Sequence, residues 1–130
     1  MNNNRVGITI AGNVLQAACY EASYRAGWWH DLDTGELKPL TQEIIGDKLM
    51  LIVTEIAEAK EGDRKNLMDS HLQHRKSIEV ELADAVIRIG DLAGRLGLDL
   101  GGAIAEKLIY NKEREDHKIE ARKAEGGKKT

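Results

Sequence analysis

A chain of 130 residues with 32% charged and 42% hydrophobic side chains fits one globular domain with a core of ordinary size. The net charge of −3 leaves no electrostatic footprint for nucleic acid, and no apolar run reaches the roughly 20 residues that span a bilayer, so neither partner is expected. The lone Cys19 excludes an intrachain disulfide, and Met1–Arg5 lacks the charged and apolar blocks of a signal peptide, so the expected compartment is the cytoplasm.

One Pro, no Phe and long runs of Ala, Leu, Ile, Glu and Lys favour helices. The first is expected from Asn13 to Ala26, with Asn13 as cap, Gly27 as stop, and Leu15, Ala18, Cys19, Ala22 and Ala26 on its apolar side. A connection follows, Trp28 to Leu40, with the turn Asp33-Thr34-Gly35 and Pro39 ahead of the next helix. The second helix is expected from Thr41 to Glu61 with Gly62 as its stop, and its stripe holds Leu51, Ile52, Ile56 and Ala59. A polar stretch, Asp63 to Arg75, leads to a third helix from Lys76 to Leu96, closed by Gly97. Its stripe is Ile78, Leu82, Ala85, Val86, Ile89, Leu92, Ala93 and Leu96. The fourth begins after the N-cap Asp99 and fades past Arg114. The expectation is a single all-α domain over residues 1–117, a four-to-five-helix bundle, followed by a basic, disordered tail over 118–130. Broad stripes without Phe to fill a monomeric core point to completion by oligomerisation.

Two acidic pairs carry the chemistry. Glu55-x-x-Glu58 and Glu81-x-x-Asp84 each put two carboxylates three residues apart, on one side of a helix. Both pairs border the apolar stripes, where two packed helices would meet at a rim. Like charges gathered there repel, and a hard dication such as Mg²⁺ removes the conflict while leaving room for water and phosphates. The same spacing also arises on plain acidic surfaces, as Glu58-x-x-Glu61 and Glu113-x-x-Asp116 show. Asp84 with Arg88 and Asp91 with Arg95 have the spacing of ordinary surface salt bridges.

Lys107, Asn111 and Arg114 stand at i, i+4 and i+7 on the fourth helix, a row able to clamp phosphates or simply to face solvent. Lys48, two turns before Glu55, can reach the same phosphates or lie along the surface. Trp28 and Trp29 follow a helix stop, and one of the two is expected to stack on a nucleobase, the alternative being core and interface packing. His71 and His74 have no partners for a zinc pattern. No P-loop, nucleophile elbow or dinucleotide-binding glycine pattern occurs.

The order Glu55-x-x-Glu58, a gap of twenty-two residues, Glu81-x-x-Asp84, then Lys107-x-x-x-Asn111-x-x-Arg114 resembles the MazG-like all-α nucleotide pyrophosphohydrolases. Lys48–Ala59 and Glu79–Ile89 look like that family's two metal-binding helices, and the resemblance extends from about Ala11 to Arg114. It implies hydrolysis of the α–β bond of (deoxy)nucleoside triphosphates to a monophosphate and pyrophosphate. It implies Mg²⁺, with Mn²⁺ as a substitute, held by Glu55, Glu58, Glu81 and Asp84; on chemical grounds Glu55 or Glu58 is expected to orient the attacking water. It implies Lys107 and Asn111 as phosphate or sugar contacts, Trp28 and Trp29 in the region of the base contacts, and a homodimer or dimer of dimers; Lys48, Arg88 and Arg114 are expected beside them as further phosphate contacts. The related dCTP pyrophosphatases carry a Tyr where this chain has Arg88, so their base preference does not transfer. Two other readings compete. One is a phosphoribosyl-ATP pyrophosphohydrolase, against which the Trp pair and the tail argue. The other is a non-enzymatic helical oligomerisation module. A di-iron carboxylate site is disfavoured because neither acidic pair ends in His.

Overall fold

The computed structural model describes Asn3–Thr130, and its regular structure is helical. It comprises α1 Asn3–Arg25, α2 Gln42–Arg64, α3 Ser77–Arg95, α4 Leu100–Glu113 and α5 Ile119–Lys123, with a 3-10 turn at Glu115–His117. Among the described residues there is no strand, only isolated bridges between His30 and Leu37 and between Met68 and Lys76. The expected all-α class is the one observed. No described helix is long and apolar enough to cross a membrane. The contacts fall into two compact units, Met1–Val14 with Asp99–Thr130, and Leu15–Leu98, the boundary lying within α1.

In the first unit α4 begins where Asp99 accepts from Gly102 N at 2.9 Å. Asn13, expected as the cap of its own helix, serves α4 instead. Its Oδ1 accepts from Gly101 N at 2.8 Å and its Nδ2 donates to Asp99 Oδ1 at 2.8 Å. With that side chain committed elsewhere, α1 does not start at Asn13 and extends back to Asn3. Past α4, the short helix α5 lies in the segment read from sequence as a tail.

The second unit is built on a hairpin of α2 and α3. Thr41 Oγ1 accepts from Ile44 N at 3.2 Å and starts α2. Gly62 was expected to stop it, yet α2 runs on to Arg64. The glycine is needed for closeness: a Cβ there would collide with the Ser77 side chain at the start of α3. The end of α2 thus packs on the beginning of α3, and Glu55 reaches Arg88 farther along, so the two helices are antiparallel. Gly27 and Gly97, at φ 81° and 66°, end α1 and α3 in the left-handed conformation glycine accepts freely.

The core of this unit is Cys19, Trp29, Ala59, Ala85, Leu92 and Ala93. Small side chains let the helices approach, and among the described residues Trp29, 0% exposed, is the one large side chain fully enclosed. Many large apolar residues stay outside this core, Leu49, Val53, Ile56, Leu82, Val86 and Ile89 among them.

Candidate functional site

The α2–α3 hairpin brings three of the four predicted carboxylates together. One oxygen each of Glu55, Glu81 and Asp84 lies within 4.8 Å of the others. The cause is local: Glu81 and Asp84 are one turn apart on α3, and antiparallel packing sets Glu55 of α2 opposite them. Glu55 is only 7% exposed. Glu58 is exposed and stands outside this group of three, although its charge still reaches Glu81.

The electrostatics show a cluster short of positive charge. Burial, then hydrogen bonding to Glu55, then the charges of Glu58, Glu55 and Asp84 push the Glu81 carboxyl up to about 7. Burial and Glu55 raise Asp84 as well, against the pull of Arg88. The one guanidinium in direct contact is Arg88, whose Nε donates to Glu55 Oε1 at 2.6 Å. Neither i,i+4 spacing noted in the sequence closes as a salt bridge: Arg88 bonds Glu55 of α2, and Arg95 donates to the Lys38 carbonyl.

The carboxylates border a cleft of about 590 Å³ lined by Trp28, Lys48, Leu51, Ile87, Arg88 and Asp91 together with Glu55 and Asp84. The same cleft also presents aromatic and cationic groups. Trp28 is 67% exposed, whereas Trp29 lies beneath, its Nε1 donating to Asp91 Oδ1 at 2.7 Å. The Lys48 Nζ sits 4.4 Å from the centroid of the Trp29 ring. Burial lowers its affinity for a proton, partly offset by Asp91. A second oxygen of Asp91 accepts from Ser23 Oγ at 2.8 Å. Comparison with family models, with characterised proteins and with solved structures finds no match to this chain. What the cleft does must therefore be argued from its own side chains.

Lys107, Asn111 and Arg114 are on α4, in the other unit. There Lys107 Nζ lies 4.6 Å and the Arg114 guanidinium 5.7 Å from the Tyr110 ring centroid. Arg114 is also bound by Nε and Nη2 to Asp116 at 2.9 and 2.6 Å. Both cations of the row read from sequence thus lie against the Tyr110 ring.

Two cleft residues were not singled out as functional from sequence. Asp91 carried a signal, since it follows Asp84 by seven residues and so shares its side of α3. Ser23 carried none, being one polar residue on an apolar helical side.

Proposed function

We propose that this chain is a metal-dependent hydrolase that splits the α–β anhydride of (deoxy)nucleoside triphosphates, in the manner of the MazG-like enzymes its sequence resembles. The observation that carries this reading is the convergence of Glu55, Glu81 and Asp84, two of which line a cleft that also presents Trp28 and Lys48. Three hard oxygen donors so close together, with one guanidinium bonded to Glu55, suit Mg²⁺ or Mn²⁺. When bound, the ion would offset the charge that builds on phosphate oxygens as the anhydride opens.

The chain's own groups divide the remaining work. Trp28, exposed at the cleft, is the face on which a base stacks. Trp29 supports it from the core instead of meeting the base. Lys48 and Arg88 hold phosphate oxygens, and Glu55, assisted by Glu58 one turn on, orients the attacking water.

The test is pyrophosphate release across canonical and modified triphosphates with Mg²⁺. We expect a monophosphate and pyrophosphate as the only products; orthophosphate release, or no turnover with any triphosphate, sinks the assignment. Phosphoribosyl-ATP belongs in the panel, because its selective hydrolysis would favour the alternative pyrophosphohydrolase.

We infer a homodimer, itself able to pair, from the other face of the same hairpin. Successive residues turn by about 100° around a helix, so Leu49, Val53 and Ile56 lie on the side of α2 opposite Leu51 and Glu55. Leu82, Val86 and Ile89 lie likewise on α3, and all six are exposed. An apolar face of that extent is unfavourable in water and marks an interaction surface. Val53→Lys combined with Val86→Lys is expected to weaken self-association by at least about a hundredfold, or about 3 kcal/mol. Light scattering at micromolar protein checks this, and an unchanged mass would place the interface elsewhere.

A further inference from the structure

Asp91 faces the cleft yet has both carboxylate oxygens engaged. Oδ1 accepts from Trp29 Nε1 at 2.7 Å and Oδ2 from Ser23 Oγ at 2.8 Å. One side chain of α3 thereby ties down the end of α1 and the loop that follows it. Trp29 is fully enclosed, so this bond fixes the plane of an indole that has no other freedom. On that plane lies Lys48, 4.4 Å from the ring centroid, with Arg95 5.6 Å from the same centroid.

Three of the cations around this ring and cleft are committed differently. Arg88 is paired with Glu55, and Arg95 donates to the Lys38 carbonyl. Lys48 lines the cleft and rests on a ring face. A ring face holds an ammonium in place without cancelling its charge, whereas a carboxylate partner would do both. The N–H donors of the ammonium that point away from the ring therefore remain usable for an anionic ligand.

We propose that Asp91 is a positioning residue for anion capture: through Trp29 and Ser23 it fixes the indole platform that presents Lys48 to the phosphates of a ligand in the cleft, and it acts on that ligand only through Lys48. This deepens the triphosphate reading and rests on it.

Calorimetric titration with inorganic pyrophosphate in the presence of Mg²⁺ tests the proposal. Lys48→Met and Asp91→Ala are each expected to weaken binding about tenfold, the order of one lost charge-assisted contact. The double variant should be no weaker than Lys48→Met to within about twofold, because residues acting through one another do not add. Asp91→Asn should stay within about threefold of the parent, since its Oδ1 can still accept from Trp29 while its amide donates to Ser23 Oγ. If Asp91→Ala does not fold, Trp29→Phe cuts the same tether, keeps a ring under Lys48, and replaces it in the cycle. A double variant about a hundredfold weaker, an asparagine variant as weak as the alanine, or an alanine variant at parental affinity each overturns the proposal while the phosphate reading stands. A parent protein that does not bind pyrophosphate overturns both.

Discussion

Replacing Glu81 by glutamine is expected to do two opposite things. It should lower Mg²⁺-dependent hydrolysis by roughly a hundred- to a thousandfold, the scale of losing one group that stabilises transition-state charge. It should also raise the melting temperature of the metal-free protein at pH 8. The second effect follows from linkage. The Glu81 carboxyl titrates at about 7 in the fold, against an ordinary value of 4.5. Between those values the folded chain keeps a proton that the unfolded chain has released, so stability falls as pH rises through that window. Above about 7 the full cost of the ionised group is present. The metal-free parent should therefore melt lower at pH 8 than at pH 5.5, and the glutamine variant, lacking this group, should lose less over the same span. A bound cation reverses the trend, because it needs the carboxylates deprotonated. The melting shift caused by millimolar Mg²⁺ should be larger at pH 8 than at pH 5.5, and nearly absent in the variant. Melting curves at both pH values, with and without metal, read all of this, and a parent indifferent to Mg²⁺ at pH 8 would remove the basis for the metal assignment.

The same cluster shows which features a sequence reveals and which it hides. Glu81 and Asp84 were legible because one helical turn separates them, and helical periodicity is a local property. Their meeting with Glu55 needed only that two amphipathic helices pack antiparallel, which a short polar connection favours. The helix stops at Gly27 and Gly97 and the cap at Asp99 were equally local. Where the reading failed, a distant partner decided. Asn13 reads as a cap for the helix that follows it, but its amide is spent on Asp99 and Gly101, more than eighty residues away. Gly62 reads as a stop, but the nearness of Ser77 is what demands it. Arg88 sits one turn after Asp84, yet its hydrogen bond goes to Glu55, 33 residues back. Asp91 is the furthest case: its partners Ser23 and Trp29 are 68 and 62 residues away, so no window of sequence exposes its role.

Adjacent tryptophans with opposite surroundings give the sharpest remaining expectation. Trp29→Ala should cost about 3–5 kcal/mol of stability, as expected for deleting a fully enclosed aromatic side chain. The cavity accounts for most of it, and Asp91 Oδ1 adds to the loss by forfeiting its indole donor. Against a total stability of about 5–15 kcal/mol for a typical domain, such a loss leaves the chain close to unfolding at physiological temperature. Trp28→Ala should cost less than about 1 kcal/mol, because two thirds of that side chain already faces water. Its effect should fall on the ligand. A base stacked on an aromatic face is worth about 1–3 kcal/mol, so nucleotide affinity should drop roughly five- to a hundredfold while inorganic pyrophosphate binds as before. Chemical denaturation separates the two variants on stability, and paired titrations with a non-hydrolysable triphosphate and with pyrophosphate separate base from phosphate. If Trp28→Ala weakened both ligands equally, the base would have to lie elsewhere in the cleft. In that case Leu51 and Ile87, apolar walls of the same cavity, would be the next surfaces to probe.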